Sequence, residues 1–342
     1  MIIGGVLMLQ SKLFVHLPEY INTPDGMDID KDGNLIVSCP NFADPTTSGI
    51  VVKIMKDTRE VVKWFDVPPH PETGVSRNMG IAMNHIKDHI YDIYLCDNQG
   101  WSGEEALMFK GRMLKVRMDG DTMIDYTVIA TDMEHPNGVK YKEGYIYLTQ
   151  SLLTRVDSEK IMSCVYKFHE NDANIKVTNT LEDPNMITTI VTQHPEVQYG
   201  ADGIAFDRDG NLYISNFGDA AIHKITFNAD GSVADNVIWA QNQEECQSID
   251  GIAFDEKGYL YMADFSANAI VRVSPNGKIM KRLAQSPDKS GFDGGLEQPG
   301  EPIIYDGKIV ATCFDLVTGP DKINTGHEMP ATLAYLDMEF DW

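Results

Sequence analysis

An all-β chain built as a six-bladed β-propeller is predicted by three observations. A phrase of an acid or amide beside glycine, followed by alternating apolar residues, recurs along the chain. Its copies are anchored at positions 25, 78, 137, 202, 250 and 301, at intervals of 53, 59, 65, 48 and 51 residues. Each copy leads into period-2 runs broken by turn residues, so one repeat supplies four strands. Six such repeats account for the 342 residues, the arrangement of a propeller. A sandwich would not explain the period. Residues 1–342 are expected to form a single propeller domain.

The elements follow in order. Pro24-Asp25-Gly26-Met27-Asp28-Ile29-Asp30 and then Asp32-Gly33-Asn34-Leu35-Ile36-Val37-Ser38 read as two strands joined by a tight turn. Residues 49–54 and 60–65 supply the third and fourth strands of that repeat. Later copies are 201–207 with 209–215, followed by 221–225 and 236–240, and 249–255 with 258–263, followed by 269–273 and 279–283. Residues 332–336 give the last repeat a third strand, and Lys12-Leu13-Phe14-Val15-His16-Leu17 precedes an anchor as every outer strand does. This N-terminal strand is expected to close the last blade and remove the open edge of the ring. The apolar start at 1–9 reads as a lead-in, without the basic flank of a secretion signal.

Composition excludes several functions. Lys and Arg number 28 against 51 Asp and Glu, a net charge of −23. Such a surface repels nucleic acid and anionic membranes. No apolar run is long enough to span a bilayer. The five cysteines, Cys39, Cys96, Cys164, Cys246 and Cys313, are scattered and form no C-x-x-C pair. Free thiols and a cytoplasmic location are the expectation.

The anchors Asp25, Asn78, Asn137, Asp202, Asp250 and Glu301 all bear oxygen. Each should open an innermost strand, so the six should converge at one mouth of the central channel. Carboxylates brought together there need a cation or raised pKa values. Oxygen ligands without Cys or His point to a hard cation such as Ca²⁺. Asp before Gly is also an ordinary strand and turn residue. The second acids of the phrase, Asp30, Asp207, Asp255 and Asp306, are read as turn residues alone.

Pro136-Asn137-Gly138, Gly200-Ala201-Asp202-Gly203-Ile204-Ala205-Phe206-Asp207 and Ser215-Asn216-Phe217-Gly218 resemble the senescence marker protein/gluconolactonase/luciferin-regenerating enzyme family. Its more distant relatives are diisopropyl fluorophosphatase and the paraoxonases. The resemblance covers nearly the whole chain. It implies a six-bladed propeller that holds a divalent metal, usually Ca²⁺ though Zn²⁺, Mn²⁺ or Mg²⁺ are alternatives, and hydrolyses lactones or related esters. The family's ligands are one Glu, two Asn and one Asp. Asn137 and Asp202 match two of them, and Asn78-Met79-Gly80 resembles the other asparagine. The family's glutamate stands in the first blade, where this chain has Asp25. If the ring starts one blade earlier, Glu301 takes that place; in the linear frame Asp25 is the carboxylate ligand and Asp250 the aspartate. The resemblance suggests Asp202 as the base that activates water, with Asp250 as second candidate.

Loops at 40–48, 98–110, 152–163 and 315–330 are long and should overhang the same mouth. Trp101 and Phe109 are candidates for an apolar wall, His135 and His327 for pocket residues, and Arg77 for orienting an anionic substrate. The expected partner is a small-molecule substrate, and the expected state a monomer or homodimer. Two competing functions are a non-catalytic ligand-binding propeller and a metal-dependent lyase or epimerase acting on a sugar-like molecule.

Overall fold

The computed structural model describes residues 2–3, 6–194, 199–316 and 322–338. Six mainly antiparallel sheets follow one another, the first five with their strands in chain order from the channel outward. The first blade is Met27–Ile29, Leu35–Cys39, Ile50–Ile54 and Val61–Asp66. The second begins with Asn78–Lys87, the third with Pro136–Lys142, the fourth with Ala201–Phe206, the fifth with Ile252–Phe254 and the sixth with Pro299–Tyr305. The sixth blade is completed by Lys12–His16, which pairs antiparallel with Thr332–Asp337 through Thr332↔His16 and Leu333↔Val15. The expected N-terminal closure is therefore present. The lead-in forms a small hairpin of its own, Ile2–Ile3 with Val6–Leu7; Met1, Gly4 and Gly5 lie outside the described residues.

Alternation along each strand puts one apolar face toward each neighbouring blade. The result is six buried clusters, one per blade junction. Ile36, Val51, Ile93 and Leu114 fill the first to second junction, for example, and Leu212, Ile214 and Val165 the third to fourth. All five cysteines are buried free thiols within this framework.

The hairpin acids behave as turn residues. Asp207 Oδ1 accepts from the Asp209 and Asn211 amides at 3.0 and 2.8 Å, and Asp30 Oδ1 accepts likewise from Asp32 and Asn34. Gly33 and Gly210 follow at φ 82° and 84°, a conformation that favours glycine. One element was not foreseen: Ile175–Lys176 pairs in parallel with Thr122–Met133 and adds a fifth strand to the second blade. It covers part of an otherwise open edge. No helix among the described residues is long and apolar enough to cross a membrane.

Candidate active site at the channel mouth

The recurring phrase has a structural cause. In the second, third, fourth and sixth blades the inner strand carries a bulge, two residues opposite one: Met79-Gly80, Asn137-Gly138, Asp202-Gly203 and Gly300-Glu301. A bulge re-aims its side chains. The inner strands also approach each other closely here. A Cβ on Gly26, Gly80, Gly138, Gly203 or Gly251 would come within 3.0 Å of backbone in the next blade. Glycine is thus required by packing, while the residue before it opens toward the channel. Thr149, Ser215 and Thr312 each stand opposite a bulge and donate to the carbonyl of the next blade's anchor, Asp202, Asp250 and Asp25.

This geometry brings Asn137, Asp202 and Asp250 together on the floor of one cavity, with Met79 beside them. Asp202 and Asp250 stand within hydrogen-bonding reach of each other. Burial, more than any neighbour, raises the pKa of Asp202 to about 7, and Glu301 adds to it. Burial and then the Asp202 charge push Asp250 well up. Asp25 is raised by burial, then by Asp202 and Glu301, and its Oδ2 is buried with no partner. Two carboxylates ~4 Å apart repel by about 4 kcal/mol at an effective dielectric of ~20. One proton shared between them, or a cation, removes that repulsion.

Two of the expected donors are placed differently. Asn78 precedes its bulge, so Met79 takes the anchor position of the second blade. The Asn78 amide donates to Ser38 Oγ (2.7 Å) and to the Ile50 carbonyl (3.0 Å); its Oδ1 is buried without a partner, but it faces Gly49 and not the cavity. Asn78 therefore ties the second blade to the first. Glu301 occupies the second bulge position, where the other blades have glycine. Lys140 Nζ reaches it from the third blade at 3.4 Å, across the channel. Glu301 lies with Lys140 and Asp28 in the channel, and does not line the cavity.

The cavity has a volume of about 420 Å³. Trp101, Tyr199, Phe217, Phe265 and Phe314 form its wall. With Phe42 these rings pack in sequence around the mouth: Phe42 to Trp101 4.2 Å, Phe42 to Phe314 5.9 Å, Phe314 to Phe265 5.8 Å, Phe265 to Phe217 5.7 Å and Phe217 to Tyr199 6.0 Å. The Tyr199 hydroxyl closes the circle by donating to the Trp101 carbonyl at 2.7 Å. His135 stacks on Tyr199 at 4.6 Å, and burial pushes its pKa down to about 3, so the imidazole is neutral.

Trp101 and His135 thus line the cavity as expected. Three other candidates do not. Arg77 is buried and spends its guanidinium on the carbonyls of Pro40, Asn41, Thr47, Asp44 and Pro45, pinning the first loop. Both terminal nitrogens are thus committed to the loop and do not face the cavity. Phe109 packs under the Arg155 guanidinium, 4.3 Å away, between two loops. His327 Nδ1 contacts the Asp315 carbonyl at 2.7 Å inside the last loop; residues 317–321 of that loop lie outside the described ones. Sequence reasoning missed Tyr199, Phe217, Phe265 and Phe314. A signal for three was present: Phe217, Phe265 and Phe314 each stand one residue past the end of a second strand.

The donor chemistry of the lining fits a hard cation: two carboxylates in contact and an amide. Asp25 and Glu301 do not line the cavity, but both lie close enough for their charges to act on Asp202 or be acted on by it, and Asp25 has an orphaned oxygen. Among the described residues no three of His, Cys, Asp and Glu are grouped as a ready-made cage. A cation here would share its shell with water or substrate.

Residues 201–288 match the family described as SMP-30/Gluconolactonase/LRE-like region. The chain carries an SMP-30/gluconolactonase/LRE-like region. That region spans the fourth and fifth blades, including both Asp202 and Asp250. The whole ring resembles solved structures. A luciferin-regenerating enzyme matches at 12% identity over 96% of this chain and 95% of that one, with a TM-score of 0.64. A calcium-binding regucalcin from Agrobacterium tumefaciens matches at 11% over 96% and 93%, TM-score 0.62. A gluconolactonase from Xanthomonas campestris matches at 13% over 96% and 94%, TM-score 0.59. At these identities the likeness is one of fold. No curated protein sequence matches the chain.

Proposed function

We propose that the channel mouth is the active site of a hydrolase acting on a lactone or related ester, with a divalent cation of the calcium class. The observation that carries this reading is the pairing of buried Asp202 with half-buried Asp250 at the floor of an aromatic-walled cavity. The likeness to a gluconolactonase and a calcium-binding regucalcin supports it. Asn137, Asp202 and Asp250, with Asp25 behind them, would hold the ion. When bound, it supplies electrophilic polarisation of the substrate carbonyl.

The chain's own groups supply the proton chemistry. In the cation-free site burial holds the Asp202 proton up to about pH 7; with the ion bound the carboxylate would be ionised and free to act as a general base. It takes a proton from water as the water oxygen bonds to the carbonyl carbon. It returns that proton to the ring oxygen as the carbon–oxygen bond opens. Asp250 orients Asp202 through their contact. The aromatic wall limits access of bulk water.

A pH-stat assay over lactones and aryl esters, with and without chelator, tests the reading. Turnover should depend on the ion, and Asp202→Asn should lower kcat by about a hundredfold or more with the fold intact. Unchanged turnover in that variant, or ligand binding with no turnover of any ester, would reject it.

A further inference from the structure

We infer that this site selects esters and lactones with a flat apolar body, aryl or alkyl, over polyhydroxylated sugar lactones; the inference rests on the hydrolytic reading of the same site. Six junction clusters already hold the blades together, and the mouth carries a seventh, separate one of Phe42, Met79, Phe217, Phe265 and Phe314. Its members come from the loops of the first, fourth, fifth and sixth blades and the bulge of the second. Rings gathered from so many blades around the cavity are placed by the ring symmetry to face a ligand. They meet at tilted and edge-on angles, the packing aromatic rings prefer, which holds the wall rigid.

Among the described residues the polar groups of the lining are few, and the one cation, Lys322, lies over the Phe265 ring at 5.7 Å. The Tyr199 hydroxyl is already committed to the Trp101 carbonyl. Asn137, Asp202, Asp250 and His135 sit at or near the floor, where the reacting carbonyl must lie. Among the described residues Ser102 is the one other uncharged hydrogen-bonding side chain of the lining. A sugar lactone presents hydroxyls around its whole ring, and most would be buried here against aromatic carbon without partners. An aryl or alkyl group buries its surface against the same wall favourably. The wall is also held in place. Arg77 clamps the loop carrying Phe42 through five carbonyls, so little ordering is left for the ligand to impose. The volume of about 420 Å³ is of small-molecule size.

The test compares δ-gluconolactone with a δ-lactone bearing a five-carbon alkyl tail (same ring chemistry, opposite polarity). The alkyl lactone should be preferred by at least about tenfold in kcat/KM, a one-methylene-to-several difference in an apolar pocket. Phe265→Leu and Phe217→Ala should raise KM for the alkyl lactone and leave kcat less affected. Equal or better use of gluconolactone would overturn the inference while leaving the hydrolase reading intact. A second arm measures binding of a non-hydrolysable alkyl lactam to the wild-type protein by tryptophan fluorescence. Saturable binding without turnover of either lactone would reject the hydrolase and keep apolar selection. Failure of the lactam to bind would overturn apolar selection.

Discussion

Replacing Asp202 by asparagine should stabilise the cation-free protein above neutral pH and remove most of its response to calcium. Burial, with Glu301 adding, raises the Asp202 pKa from its ordinary 3.8 to about 7. The folded state therefore holds this proton to a higher pH than the unfolded chain. The linked stability is fully present below about pH 4 and is lost as pH rises through about 7. A shift from 3.8 to about 7, at about 1.4 kcal/mol per unit, corresponds to about 4 kcal/mol. That is an upper value, because Asp250 shares the titration. Asparagine carries no charge and can still donate to Asp250. In urea melts at pH 8 with chelator, the variant should exceed the wild type by roughly 2–4 kcal/mol, and at pH 4 the two should coincide. Calcium at a hundred times its Kd should then stabilise the wild type by about 2.7 kcal/mol and the variant far less. A variant less stable than the wild type in chelator at pH 8 would refute the electrostatic reasoning.

Three further outcomes follow from the same geometry. Asn78→Ala deletes the tie to Ser38 and Ile50 and should cost about 1–3 kcal/mol in urea melts, with the calcium midpoint unchanged; a shifted midpoint would restore Asn78 to the cation site. Gly138→Ala drives a Cβ against the Asp202 carbonyl and Ile204, so it should destabilise by roughly 1–3 kcal/mol and lower activity together, whereas an alanine tolerated in both would contradict the close approach. Arg77→Met releases the carbonyls of the 40–48 loop; limited proteolysis should show faster cleavage there, and KM should rise as Phe42 loses its anchor.

Much of the fold was legible because its signals are local. Period-2 runs, Asp-Gly turns and a repeat near 55 residues sufficed for six blades and for Lys12–His16 as the closing strand. The cavity lining was legible at Asn137, Asp202 and Asp250, where anchor and glycine are adjacent, though not at Asp25 before Gly26. The expected placement fails where the two are not adjacent. In Asn78-Met79-Gly80 the glycine marks the close approach, so counting back one residue gives Met79, and the amide that looked like a ligand stands outside the bulge. At Gly300-Glu301 the glycine precedes the acid, and a one-residue slip on a bulged strand changes where a side chain points. The fate of Arg77 depends on carbonyls 30 to 37 residues away in the chain, which no local pattern reports. The aromatic wall did carry a pattern, one ring after each of three second strands, but its meaning needed the ring to be closed.

The most direct test of the central claim is a crystal structure grown with Ca²⁺ and repeated with Mn²⁺, whose anomalous signal identifies the ion. The account predicts one peak at the cavity floor, about 2.3–2.6 Å from oxygens of Asp202 and Asp250 in the calcium form, with Asn137 in the shell and Asp25 facing it. A peak coordinated by Asn78 or Glu301, or a mouth that stays without an ion at millimolar calcium, would contradict it.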